Sequence, residues 1–255
     1  MLTAITRGVS PGINRCELSH LTRQPIDFDK AVEQHRAYEG CLRTLGVSVI
    51  PLPAEPELPD SMFVEDPVVV VDEVAVMTRM GVGSRRAESK SLAPVLEPFR
   101  PLRWIQPPAT LEGGDVIRVG KTLFVGSSAR TNREGITQLA NQLSPLGYGV
   151  FPVEVRGCLH LKSACCYIGD QKMLANRDWF DTAPFGGFEL IDVPADEPRA
   201  ANVLAIGETV LVPASFPRTA EMLDRRGCKV RMLDIAELMK AEAGLTCSSI
   251  LLHND

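Results

Sequence analysis

Cys247, His160, Glu112 and Asp66 are the residues whose types could combine into a reaction centre. A thiol supplies a nucleophile, an imidazole moves protons, and carboxylates hold a cation. They lie far apart along the chain, yet each comes just after an isolated apolar run. The segment 59–67, with Asp60, Phe63, Glu65 and Asp66, follows a run at 47–52, and the segment 110–115, with Glu112, follows 102–106. His160 in 159–163 follows 150–155, Asn202 in 200–202 follows 188–193, and Cys247 in 245–249 follows 229–235. Taken singly, each has a plainer reading. A cysteine is often a small buried hydrophobe, a histidine between two leucines packs, and Glu112 before Gly113-Gly114 or Asp66 before Pro67 suits a turn. A shared place after five like runs sets them apart.

Those runs belong to a repeat. Ahead of them stand hairpins, each a pair of apolar stretches split by polar or glycine residues: 68–71 with 74–78, 116–119 with 123–125, 165–168 with 172–175, and 203–206 with 210–212. The fifth pair would join opposite ends of the chain, 248–252 against 2–6, closing a ring and hiding both sheet edges. Amphipathic helices are predicted at 29–45, stopped by Gly46; at 84–99, interrupted at Pro94; at 132–146, before Gly147; and at 217–226, between Pro217 and Gly227. One unit has only a short candidate, at 177–182. Five units of about 40 to 50 residues predict an α/β fold, a five-fold pseudo-symmetric propeller. Residues 1–255 would form it as a single catalytic domain. An ordinary open α/β sheet is the alternative. In a rotational repeat, equivalent positions meet around the axis, so the thiol, imidazole, amide and carboxylates would converge on one central pocket.

A buried carboxylate is costly without a partner, so Glu112 and Asp66 facing an empty pocket call for a cation. A guanidinium fits, because its N–H donors form a fork that carboxylates accept in bidentate fashion. Phe63 could stack on its face. The guanidinium carbon is a poor electrophile, and holding it cationic against carboxylates makes it a better target. A thiol with an ordinary pKa of about 8.5 ionises more easily beside a bound cation and His160. Cys247 would attack, an amine would leave with a proton from His160, and water would hydrolyse the thiouronium. No metal or cofactor is expected, since the nucleophile is a side chain and the substrate brings its own positive charge.

Bulk properties exclude other classes. With 255 residues, 45% of them hydrophobic, the chain can bury a core without staples. The net charge of −5 is spread out, which argues against nucleic acid or an anionic membrane as a partner. No apolar run approaches the roughly 18 residues of a membrane span, and residues 1–7 lack the layout of a signal peptide. Seven cysteines, an odd number without a CxxC pair, point to free thiols and to the cytoplasm. A homodimer is compatible with this composition.

The segments 59–67, 84–86, 111–115, 128–132, 159–163, 200–202 and 246–248, read together, resemble the dimethylarginine dimethylaminohydrolases. These belong to the guanidino-group-modifying, or pentein, superfamily, and the likeness runs through nearly the whole chain. The resemblance implies a dimethylargininase-type hydrolase that converts methylated arginine to citrulline and methylamine or dimethylamine through a cysteine thiouronium. It implies that Cys247 is the nucleophile, His160 the general acid and base, and Glu112 the carboxylate that binds guanidinium and orients His160. Asp66, with Glu65 beside it, is similar to the second guanidinium carboxylate. Arg85 and Arg130 would bind the α-carboxylate, Asp60 the α-amino group, and the carbonyl of Ala241 would make a backbone contact. Residues 10–24 resemble a lid that touches substrate at Leu18. The segment departs from the family in length, so Cys16 is the alternative. The expected partner is a small-molecule guanidino amino acid. The residues alone reach a guanidine hydrolase, and the methyl groups come only with the resemblance. Two alternatives stand: an arginine deiminase-like relative, and a non-catalytic pentein binding protein, which would lack the Cys/His/carboxylate set.

Overall fold

Short apolar runs interrupted by glycine and polar pairs can form only short strands, and here they assemble five three-stranded sheets. The computed structural model describes residues 2–253. β1 (Leu2–Arg7) runs parallel to β2 (Ser48–Leu52). β3 (Val68–Val70), β4 (Ala75–Met77) and β5 (Leu102–Trp104) form the next sheet, then β6 (Val116–Val119), β7 (Thr122–Ser127) and β8 (Gly149–Glu154). β9 (Cys165–Gly169), β10 (Lys172–Ala175) and β11 (Glu189–Asp192) follow, then β12 (Leu204–Ile206), β13 (Thr209–Pro213) and β14 (Lys229–Leu233). In each of these four sheets the first two strands are antiparallel and the third lies parallel to the second. β15 (Ile250–His253) completes the first sheet by pairing antiparallel to β1, Leu2 opposite His253 and Ile5 opposite Ile250. The result is the five-fold α/β propeller predicted from the repeat. The closing strand begins at Ile250 rather than Ser248, because Thr246–Ser248 form a 3-10 turn that lifts Cys247 out of the strand.

Helices flank the sheets where the period predicts them. α1 (Phe28–Thr44) starts at Asp27, whose side chain accepts from the Lys30 N–H at 3.1 Å, and stops at Gly46 with φ +81°. α2 (Glu88–Leu96) begins later than expected. Residues Gly83–Arg85 form a separate 3-10 turn that turns Arg85 inward. α3 (Arg133–Leu143) is capped by Asn132, which accepts from Gly135 N at 2.9 Å. α4 (Leu161–Ala164) and α6 (Ala236–Met239), on either side of α5 (Pro217–Arg225), are single turns too short to show a period in sequence, and both adjoin the site.

Five apolar clusters fill the space between sheets and helices. Tyr38 and Leu42 of α1, Leu92 and Leu96 of α2, Leu139 and Leu143 of α3, and Leu223 of α5 each anchor one. Truncating such a buried leucine to alanine costs about 2–5 kcal/mol. The unit predicted to have only a short helix at 177–182 has 3-10 turns at Arg177–Trp179 and Ala183–Phe185 instead. Aromatic rings take the missing helix's place: Phe185 stacks on Phe124 at 4.3 Å between centroids and meets Phe180 edge-on at 5.3 Å. Among the described residues, no helix is long and apolar enough to cross a membrane.

Candidate active site

The segments that follow the third strand of each unit meet around one cavity of about 20 Å³. Asp60, Phe63, Glu65 and Asp66 reach its wall from the first segment, His160 and Lys162 from the third, and Asn202 from the fourth. Ala241 and Cys247 come from the last segment, and Arg85 and Arg130 from the turns before α2 and α3. Glu112 and Leu18 do not line it.

Two glycines permit the close approach of Asp66 and His160. A Cβ on Gly114 would lie 2.6 Å from His160 Nδ1 and 2.8 Å from Asp66 Oδ1, and one on Gly113 would lie 2.0 Å from the Glu65 carbonyl oxygen. The bare backbone is used as well: Gly114 N donates to Asp66 Oδ1 at 3.0 Å and Gly113 N to the Asp66 carbonyl at 2.9 Å.

His160, at the start of α4, places Nε2 2.8 Å from Glu112 Oε2 and Nδ1 4.0 Å from Asp66 Oδ1. Burial pulls the imidazole toward its neutral form. The carboxylates of Asp66, Asp115 and Glu112 outweigh that and hold its pKa up at about 9. Burial alone would raise Glu112. Its bond to His160 and the nearby guanidinium groups of Arg85 and Arg130 bring it well below the usual carboxylate range instead. Glu112 also accepts from Gly81 N at 2.9 Å and is wholly buried behind His160. Of the two tasks the resemblance implied for Glu112, the geometry offers the orienting one, and the carboxylate facing the cavity is Asp66.

The arginines differ. Arg85 gives Nη1 to Asp66 at 3.0 Å and Nε and Nη2 to Glu88 at 3.0 and 2.9 Å, with its guanidinium 5.9 Å from the Phe63 ring centroid. Burial pushes Glu88 up to about 7 although Arg85 opposes the shift. Arg130 donates from Nη2 to Ser19 Oγ at 2.9 Å. Its Nη1 is buried 3.5 Å from Glu112, without a hydrogen-bond partner among the described residues.

Cys247 sits half-buried in its 3-10 turn, its Sγ 3.5 Å from Gly244 N. Burial pushes the thiol up, the Asp66 and Glu65 carboxylates push it further, and Gly244 N–H and Lys162 offset only part. Together these contributions favour the protonated thiol. Behind the turn, Thr246 Oγ1 donates to Glu65 at 2.7 Å, and the Lys162 ammonium bridges the same carboxylate and the Gly113 carbonyl. Asn202 ties Thr246 N (3.2 Å) to the Lys162 carbonyl (3.1 Å). Glu65 is thus engaged in holding the Cys247 turn.

Within residues 10–24 the wall residue is Glu17, whose N–H donates to both carboxylate oxygens of Asp60 at 3.2 Å. Cys16 is fully buried in the cluster beneath α1 and Leu18 packs partly against it, and of the three only Glu17 lines the cavity. Glu17, Glu88, Lys162 and Thr246 carry site contacts that the sequence did not single out. Glu88 alone left a signal, its spacing three residues beyond Arg85. Asp66, Glu112 and His160 offer three ligand atoms within 4.8 Å of one another. Those atoms already take Arg85, Gly114 N and each other as partners, with two guanidinium groups alongside.

A family model described as "N,N dimethylarginine dimethylhydrolase, eukaryotic" matches residues 14–209. The chain is 37% identical over 234 residues to the N(G),N(G)-dimethylarginine dimethylaminohydrolase of Pseudomonas aeruginosa, covering 91% of each. It is 36% identical over 260 residues to the protein of that name from Streptomyces coelicolor, covering 98% of this chain and 96% of the other. The crystal structure of the Pseudomonas aeruginosa protein, a cysteine-to-serine mutant complexed with citrulline, superimposes with a TM-score of 0.93 at 34% identity, covering 98% of both chains.

Proposed function

The chain belongs to the dimethylarginine dimethylaminohydrolase family, and from that premise we propose that it hydrolyses methylated arginine to citrulline and an alkylamine, with Cys247 as the nucleophile. The observation that carries this reading is the meeting of Cys247, His160 and Asp66 on the wall of one small cavity, with Glu112 bonded to His160 from behind. We read residues 1–255 as one catalytic domain. Free thiols on all seven cysteines support a cytoplasmic setting.

The cationic guanidinium docks against Asp66, and Phe63 meets its face. Asp60 takes the α-ammonium and Arg130, which reaches the cavity wall, the α-carboxylate. The resting thiol is neutral, so the substrate's positive charge is what offsets Asp66 and Glu65 and releases the Cys247 proton to solvent. The thiolate attacks the guanidinium carbon and forms a tetrahedral adduct. His160, kept protonated by its carboxylates, passes a proton to the alkylated nitrogen, and the C–N bond breaks to leave a thiouronium and neutral imidazole. Water then adds to that carbon, giving a proton to His160. The C–S bond breaks, the remaining hydroxyl proton leaves, and the ureido group of citrulline and the thiolate result.

The test is ureido-product formation side by side: citrulline from asymmetric dimethylarginine, monomethylarginine and arginine, and N-carbamoylputrescine from agmatine. Preference for the methylated pair supports the reading. Turnover of arginine alone would assign the chain to the deiminase-like alternative, and no ureido product from any of the four to a binding protein.

A further inference from the structure

The cavity of about 20 Å³ has room for roughly one water, not for an amino acid, so part of its wall must move before a substrate enters. The loop between Asn14 and Ile26 brings Glu17 to that wall. Its neck is closed by two bonds, Asn14 Nδ2 to the Ile26 carbonyl at 2.9 Å and Ile26 N to Asn14 Oδ1 at 2.8 Å. Leu18 packs partly against the cluster beneath α1, and the rest of the tip touches the body of the protein through polar tethers. Glu17 N rests on Asp60, the Glu17 carboxylate accepts from Ser84 Oγ, and Ser19 Oγ rests on Arg130. The fourth tether is Glu242, whose carboxylate accepts the consecutive N–H groups of Ser19, His20 and Leu21 at 2.5 to 3.0 Å.

Glu242 is unusual for where it stands. α6 ends with Ala243 N bonded back to the Leu238 carbonyl at 3.4 Å and Glu242 N to that of Met239 at 3.1 Å, the pattern whose left-handed residue is normally glycine. Glu242 occupies that position with φ +60°. A helix stop alone would favour glycine there. A glutamate under that strain is explained by what its carboxylate does: it gathers three backbone donors in a concave nest, beside Ala241 on the cavity wall.

We propose that Glu242 is the latch of a lid formed by residues 17–21, a positioning residue whose grip seats the lid over the cavity and whose release admits a guanidino amino acid. The inference rests on the functional reading above for the identity of that ligand. On that reading two of the other tethers, Asp60 and Arg130, are shared with the substrate's ammonium and carboxylate. Glu242 lines the cavity beside Ala241, but its carboxylate is taken up by the three lid N–H groups.

The experiment uses Glu242→Gly and Glu242→Gln in the full chain. Glycine suits the left-handed position, so the variant should melt no lower than the parent while losing all three bonds; glutamine keeps an acceptor oxygen without the charge. Hydrogen exchange at residues 17–21 and alkylation of Cys247 by iodoacetamide in the empty protein should each speed up about tenfold or more in Glu242→Gly and less in Glu242→Gln, as expected from losing charge-assisted bonds. KM for methylated arginine should rise far more than kcat falls. Exchange and alkylation unchanged in Glu242→Gly would overturn the latch. So would a lowered melting temperature with exchange rising throughout the molecule, which is the signature of a plain helix stop. Exchange and alkylation need no turnover, so they decide the latch even if methylated arginine proves not to be the substrate.

Discussion

His160 Nε2 lies 2.8 Å from Glu112 Oε2, while its other ring nitrogen, Nδ1, lies 4.0 Å from Asp66 on the cavity side. One carboxylate aims the ring from behind and the other faces the cavity. Glu112→Gln keeps the shape and removes the charge. The pKa of His160, held at about 9 against burial by three carboxylates, should fall. A proton donor lost to neutrality should slow kcat by about 10²–10⁴-fold, and the alkaline limb of the rate–pH profile should move to lower pH. A limb that stays in place would show that Glu112 does not set the charge of His160.

Cys247→Ser should bind substrate and fail to turn it over. A serine hydroxyl is far less acidic than a thiol, so a bound cation cannot ionise it. Asp66, Arg130 and Asp60 are untouched, so affinity should survive within about tenfold, or roughly 1.4 kcal/mol. Acid-quenched wild-type enzyme should carry the adduct on Cys247, read by intact mass and peptide mapping. An adduct on Cys158, Cys165 or Cys166 instead would remove Cys247 from its role.

The two arginines should separate. Arg85 neutralises Asp66 and Glu88 inside the protein, so Arg85→Ala leaves two buried carboxylates without their cation. Loss of about 3–5 kcal/mol of stability should follow, with activity reduced on agmatine as well as on methylated arginine. Arg130→Ala should weaken substrates that carry an α-carboxylate by roughly 1.5–3 kcal/mol and spare agmatine. Thermal melts and KM values on both substrates check this. Arg85→Ala with an unchanged melt and a loss confined to carboxylate-bearing substrates would mean that its role is recognition alone.

His160 also ties stability to pH. Its folded pKa, raised from 6.5 to about 9, means that the folded state binds the proton more tightly than the unfolded chain. The resulting stabilisation is complete below pH 6.5 and is lost as pH rises through 9. Urea midpoints should decline across that window, by up to a few kcal/mol in stability, and the decline should shrink in His160→Gln. Equal slopes in both proteins would assign the pH dependence to other groups.

Much of this arrangement was legible in the sequence, for reasons that differ by residue. The strands and long helices announce themselves through period and caps, as Asp27, Gly46 and Asn132 show. The ring closure was readable because an apolar run at each end lacked a partner. Cys247, His160 and Asp66 were readable through their equivalent places in the repeat. What stayed hidden depends on side-chain direction at short turns. No pattern tells that Glu112 stands behind His160 rather than on the cavity wall, or that Glu17 faces inward while Cys16 and Leu18 are drawn into the core. Lys162 and Glu242 are charged residues like many on the surface until the fold brings them against Glu65 and the backbone of residues 19–21.

The pairing of β1 with β15 sets a timetable for biogenesis. A ribosome releases β1 early, and its outer edge then stays bare while the other four sheets are made. Such an edge invites strand exchange with a neighbouring nascent chain. Cys247 lies just ahead of β15, so its thiol cannot take its place on the cavity it shares with His160 until the closing strand has left the exit tunnel. On the proposed mechanism, a growing polypeptide of this design carries His160, Glu112 and Asp66 while remaining inert, and catalytic competence arrives with the closing strand.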